Sequence, residues 1–284
     1  MIAIRTEKRK KRTQCLIPEK AIIMGGYGIN SEIETKEALR RAGMIADIVH
    51  INDLIEKRKR LSDYRLVVFP GGFSYGDDTG AGNAYANRVR NNLWDELRDF
   101  LDEDNLVLGI CNGFQIIANL GLVPAFNKTY SRQVALMPNR SGVLECRFVT
   151  LKPAARNLWT KGIERLCCPV AHGEGNFYGT GDTMRQLRAR NMICFKYCKN
   201  DLSAANGEFP YNPNGSMNDI AGITSEDGKV LGLMPHPERA MEFTNLYDWP
   251  LQKEKLKREG KEPPFESLNL RLFRNIVDYF KDLQ

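Results

Sequence analysis

From residue 20 onward, short apolar runs alternate with stretches in which apolar residues recur every three or four positions. Lys20–Met24 (KAIIM), Arg65–Phe69 (RLVVF) and Asn105–Ile110 (NLVLGI) have the length and β-branched content of strands buried on both faces. Ile45–Ile51 reads as a further strand. Between them, SEIETKEAL opens a helix whose acidic first turn complements the macrodipole, and Leu93–Leu101 is amphipathic at helical period. Gly113–Leu120 reads as another helix. Such alternation needs crossover connections, so the pattern predicts an α/β fold with a mostly parallel central sheet and helices on both faces.

After residue 130 the rhythm changes. Residues 143–151 (VLECRFVTL) and 191–197 (NMICFKY) read as strands added antiparallel to the same sheet or along its edge. Tyr211–Ser216 (YNPNGS) is a turn, and Ile220–Thr224 with Val230–Met234 forms a hairpin that runs into His236-Pro237-Glu238. Residues 249–265 carry Pro250, Gly260, Pro263 and Pro264 among charges and read as a loop, followed by an amphipathic helix from about Glu266 to Phe280. No repeat or boundary divides residues 14–284, which read as one domain behind a tail of residues 1–13.

Composition narrows the class. The chain has 284 residues, 42% apolar and 27% charged, enough to bury a core without disulfides and too apolar for a disordered chain. No apolar stretch approaches the ~18 residues of a membrane span. The N-terminus lacks the apolar segment of a secretory signal, so the expected location is the cytoplasm and no membrane is involved. The net charge of +6 is concentrated: Arg5, Lys8, Arg9, Lys10, Lys11 and Arg12 stand against Glu7 alone. The body has no basic stripe for a phosphate backbone, so nucleic acid is not an expected partner, and the tail reads as a solvated flexible segment. Seven cysteines form an odd set without framework spacing and read as reduced thiols. Cys194 and Cys198 have a tolerable ligand spacing but no second pair or His cluster, so no metal is expected.

Three segments carry candidate chemistry. Leu108-Gly109-Ile110-Cys111-Asn112-Gly113-Phe114-Gln115 has the form of a nucleophile elbow: a strained strand-to-helix turn needs small residues two before and two after the nucleophile. At a helix N-terminus Cys111 is activated by the dipole, beside N–H groups that can hold an oxyanion. His236-Pro237-Glu238 supplies a base and its orienter, since in an extended segment side chains two apart point the same way. Phe69-Pro70-Gly71-Gly72-Phe73-Ser74-Tyr75-Gly76-Asp77 ends a parallel strand, where open α/β sheets bind ligands. Each alone has a plain structural reading; together they converge on acyl-transfer chemistry.

With PGGFSYGDD, GICNGFQ, MPNRSG, AHGEGNFY, YNPNGS and GLMPHPERA in this order over residues 20–240, the sequence resembles class I glutamine amidotransferases. Within that class it is similar to the glutaminase subunits of phosphoribosylformylglycinamidine synthases of purine biosynthesis. The resemblance implies a flavodoxin-like amidotransferase fold, with Cys111 as nucleophile, His236 as general base and acid, and Glu238 as its orienter. It implies an oxyanion hole from backbone N–H groups around Gly71, Gly72 and Phe73 and from Asn112. Gln115 is expected to hold the amino-acid end of glutamine, with a loop of His172, Gly173 and Glu174 closing over that end. No cofactor is expected on this chain, since ATP and magnesium would act on a partner synthetase subunit, joined by a small third subunit. The basic tail and the 249–265 insert exceed the usual pattern.

Rival readings fit less of the chain. A peptidase on a similar elbow would not need Gln115 or the Ala-His-Gly-Glu segment, and a purely binding module would not need Cys111, His236 and Glu238 together. Gly26-x-Gly28-x-x-Ser31 imitates a dinucleotide fingerprint but lacks its third glycine, and Gly222 to Lys229 lacks the P-loop spacing.

Overall fold

The computed structural model describes residues 18–284, so the basic tail expected over residues 1–13 lies outside the described residues. In chain order the elements are β1 (Lys20–Gly25), α1 (Glu32–Ala42), β2 (Ile45–His50), α2 (Ile51–Ile55), β3 (Leu66–Phe69), α3 (Asn83–Asn92), α4 (Trp94–Asp102), β4 (Leu106–Ile110) and α5 (Asn112–Asn119). There follow β5 (Val134–Pro138), β6 (Glu145–Pro153), β7 (Leu166–His172), β8 (Glu174–Gly179), α6 (Gly181–Ala189) and β9 (Ile193–Cys198). The chain then runs through β10 (Ile220–Thr224), β11 (Val230–Leu233), α7 (Trp249–Arg258) and α8 (Leu270–Asp282).

The main sheet has nine strands in the order β2-β1-β3-β4-β11-β10-β9-β6-β7. The first five are mutually parallel, and the remaining pairs are antiparallel, as the change in pattern after residue 130 indicates. Ala21, Ile22 and Ile23 of β1, all of β3 and most of β4 are buried, which is why these strands show no polar alternation. The β1–α1–β2 unit crosses the sheet in one direction and β3–α3–α4–β4 in the other, so right-handed crossovers place α1 and α3 on opposite faces. That reversal puts a crevice at the C-terminal ends of β1 and β3, where open α/β sheets hold their ligands. A separate two-stranded sheet, β5 with β8, covers the side of α5.

The expected loop at 249–265 is corrected: residues 249–258 are helical. Pro250 sits in the first turn, where its missing N–H costs nothing, and Lys255, Lys257 and Arg258 occupy the last turn. Trp249 and Leu256 pack on a small satellite cluster of Ala240, Phe243 and Leu246. The strand expected at Ile45–Ile51 ends at His50, whose Nδ1 accepts the Asn52 N–H and starts α2.

Candidate active site

Register brings three strand ends together. Phe69 of β3 pairs with Gly109 of β4, and Ile110 of β4 with Leu233 of β11. The chain therefore leaves the sheet at one level as Pro70-Gly71-Gly72, as Cys111 and as Met234-Pro235-His236. Cys111 holds φ 53° and ψ −110°, a conformation that costs a non-glycine residue energy and is kept by its surroundings. Its N–H donates to Leu233 O at 2.8 Å while its carbonyl accepts from Gln115 N at 3.2 Å, so one residue joins the sheet ladder to α5. The flanking glycines are needed for contact: a Cβ on Gly113 would lie 1.7 Å from the Phe69 carbonyl oxygen, and one on Gly109 would lie 2.7 Å from Gly113 O. Cys111 is 4% exposed, with Sγ 3.9 Å from the Ala171 carbonyl. The N–H of Asn112, first in α5, has no intrahelical acceptor by position.

His236 and Glu238 are both buried, and Nδ1 of the ring lies 2.6 Å from Glu238 Oε1. The pair is not reached through an extended segment: Pro237–Arg239 is a 3-10 turn that folds the carboxylate back under the ring. The His236 N–H is pinned to Pro169 O at 2.9 Å. Glu238 claims Nδ1, leaving Nε2 without a hydrogen-bond partner among the described residues. Burial works to discharge this ring, but the charges of Glu238 and Cys111 outweigh it and push its pKa up to about 10.

Gly71 lies against the ring, where a Cβ would fall 2.5 Å from His236 Cε1. Gly71 O accepts from the N–H groups of Asn30 and Ser31, at 3.1 and 3.2 Å. Gly72 N–H has no acceptor among the described residues, whereas Phe73 N–H is spent on Gly28 O at 2.8 Å. Of the three residues expected here, Gly71 and Gly72 thus keep N–H groups without a backbone acceptor among the described residues, and Phe73 presents a half-exposed ring at the rim. The Asn112 side chain fastens the same loop: Oδ1 accepts from Ser74 N at 3.1 Å and Nδ2 donates to Asp77 Oδ1 at 3.1 Å. Burial raises the Asp77 pKa, against the pull of Gly82 N–H and Asn112. The imitation dinucleotide loop has a different use, since a Cβ on Gly28 would lie 2.1 Å from the Phe73 carbonyl oxygen. Its glycine admits the neighbouring loop.

Comparison with known proteins fits this geometry. The CobB/CobQ-like glutamine amidotransferase domain matches residues 18–280. The chain is 48% identical to phosphoribosylformylglycinamidine synthase subunit PurQ of Methanococcus maripaludis, covering 92% of this chain and 97% of that one. It is 38% identical to the subunit of the same name from Dehalococcoides mccartyi, over 93% and 98% of the two chains. The chain belongs to the PurQ family of glutamine amidotransferases. Among solved structures, that of PurLQS from Thermotoga maritima superimposes with a TM-score of 0.68 at 28% identity, covering 93% of this chain and 100% of that one.

In this amidotransferase the His172–Glu174 segment expected to close over the substrate is a tight junction between strands: β7 ends at His172 and β8 begins at Glu174. Asn139 holds it with all four bonds of its amide. Nδ2 donates to the carbonyls of Val143 and His172, at 2.9 and 2.7 Å, and Oδ1 accepts from Gly175 N and faces His172 Nδ1, both at 3.1 Å. Asn214 Nδ2 lies 3.5 Å from His172 Nε2 and donates to Tyr197 Oη at 3.1 Å. Asn214 Oδ1 accepts from the Ser216 hydroxyl at 2.7 Å. Burial, assisted by the charge of His236, lowers the His172 pKa to about 4 and keeps the ring neutral. Gln115 is committed to this junction as well: Nε2 donates to Glu174 O at 2.5 Å and Oε1 accepts from Asn112 at 2.8 Å. Glu174 in turn accepts from Ala81 N at 3.2 Å. Asn139, Asn214 and Ser216 were legible only as members of the MPNRSG and YNPNGS segments that carry the resemblance, with no signal for what their side chains would hold. Two grooves elsewhere, about 900 and 750 Å³, are lined by residues 153–164 with α8 and by α7 with residues 264–274; neither includes Cys111.

Proposed function

We propose that the chain hydrolyses glutamine for a phosphoribosylformylglycinamidine synthase and hands the ammonia to its synthetase subunit. The Cys111 thiolate attacks the carboxamide carbon, and the oxyanion that forms is met by the N–H groups of Gly72 and Asn112. The carbon–nitrogen bond then breaks as His236 Nε2 gives its proton to the leaving ammonia, and a glutamyl thioester remains. His236 next takes a proton from water, whose oxygen displaces the thiolate and releases glutamate. The observation that carries this reading is the His236–Glu238 pair at 2.6 Å with Nε2 left free, at the strand end beside a cysteine held at φ 53°.

In the complete synthase the synthetase subunit would use the ammonia to convert formylglycinamide ribonucleotide to formylglycinamidine ribonucleotide. ATP and magnesium belong to that subunit, this chain works without a cofactor, and a small third subunit completes the assembly in the cytoplasm. Treating the assembled enzyme with a glutamine-mimicking electrophile tests the core of the reading. The adduct is expected on Cys111, with stoichiometric loss of glutamine turnover; modification of another cysteine with the same loss would overturn it.

A further inference from the structure

We infer that Arg239, the residue after the His-Pro-Glu segment, is a positioning residue that fixes the direction of the Gly72 N–H. The inference rests on the glutaminase reading above. Arg239 Nη2 donates to Ser31 Oγ at 2.6 Å and to Asn30 Oδ1 at 3.3 Å, while Nε lies 3.7 Å from Glu34 Oε1. The Ser31 hydroxyl, fully buried, bonds back to Asn30 Oδ1 at 3.3 Å. The backbone N–H groups of these same two residues hold the Gly71 carbonyl. In a trans peptide the carbonyl and the following N–H lie in one plane and point opposite ways. Anchoring Gly71 O on Asn30 and Ser31 therefore aims Gly72 N–H away from α1, toward the open side of the loop.

Two further contacts make the arrangement unforgiving. Gly71 lies between the clamp and the catalytic ring, its Cβ position being 2.9 Å from Ser31 Oγ and 2.5 Å from His236 Cε1. Gly72 is wedged against the same segment, its Cβ position being 2.5 Å from Gly28 O and 2.7 Å from Ile29 Cα. A shift of residues 28–31 thus rotates the 71–72 peptide. Arg239 leaves a 3-10 turn that also contains Glu238, so one short turn sets both the base and the oxyanion donor.

The test separates oxyanion chemistry from thiol chemistry, using the full chain assembled with its synthetase. Alkylation of Cys111 by iodoacetamide displaces iodide without developing an oxyanion, whereas glutamine hydrolysis requires one. Arg239→Ala is expected to lower kcat for glutamine by about 10- to 100-fold, somewhat less than deleting an oxyanion donor. KM and the iodoacetamide rate should stay within about twofold. Arg239→Lys, which keeps one donor, should recover part of kcat. If Arg239→Ala does not fold, Ser31→Ala removes the acceptor of the same contact and should give the same split. Unchanged kcat, or an alkylation rate that falls in step with kcat, overturns the inference. Failure of the wild-type complex to hydrolyse glutamine would instead sink the reading beneath it.

Discussion

His172 and His236 are both buried, yet their surroundings drive them to opposite charge states. His236 has the Glu238 carboxylate at 2.6 Å, whereas His172 faces two asparagine amides. A raised folded pKa stabilises the fold fully below the unfolded value near 6.5 and loses that contribution as pH rises through about 10. Nitrogen NMR should accordingly find His236 doubly protonated at pH 8. Glu238→Gln should bring its titration down while leaving part of the activity, and a ring neutral at pH 8 in the wild type would contradict the pairing. For His172 the sign is reversed. The unfolded chain takes up a proton near 6.5 that the folded chain refuses down to about 4, so stability falls over that window as pH drops. The cost reaches about 2 kcal/mol by pH 5, and His172→Gln should flatten the fall in Tm between pH 7 and 5. That Cys111, His236 and Glu238 belong together could be read from the sequence because each lies in a short motif. The neutrality of His172 could not, because Asn139 and Asn214 reach it from turns far along the chain.

At the level of elements, the strands and helices around the site were legible because they are buried runs or clean amphipathic periods, as in β3, β4 and α8. The helix at 249–258 was not, since none of its residues is buried and its proline imitates a breaker. The β5–β8 sheet escaped for a similar reason. Val134–Pro138 is short and ends half-exposed, and Glu174–Gly179 holds two glycines. Where elements meet at the elbow, the steric demands are sharp enough to predict outcomes. Gly113→Ala sets a methyl group 1.7 Å from a backbone oxygen that cannot move without β3, so a loss of about 3 kcal/mol or more in denaturant unfolding is expected. Gly71→Ala meets a side chain instead, the His236 ring at 2.5 Å. It should cost less stability than Gly113→Ala while removing most glutamine turnover, because a side chain can shift where a backbone carbonyl cannot and the chemistry cannot follow the displaced ring. Equal losses of stability in the two variants would show that the Gly71 contact is not with a movable group.

For the whole molecule, the architecture places Cys111, His236 and the Pro70–Gly72 turn at one end of the sheet. The rim there carries Tyr27 and Phe73, both substantially exposed. Ammonia released at that mouth is useful only if a second active site receives it, and the chain shares its family with subunits of a multi-subunit synthase. The functional reading therefore makes a claim about the complex that the chain alone cannot satisfy. In an assembled synthase carrying Cys111→Ala, a small buried thiol is lost but the fold and the docking surface are kept. Glutamine-dependent product should vanish, because no other group can form the thioester. Ammonium salts should still support amidation at elevated concentration, since the synthetase receives the same nucleophile from solution. Both halves are read in one assay of formylglycinamidine ribonucleotide formation with ATP. Loss of the ammonium-dependent rate along with the glutamine-dependent one, in a complex shown to be intact and nucleotide-bound, would mean that this chain contributes something other than ammonia.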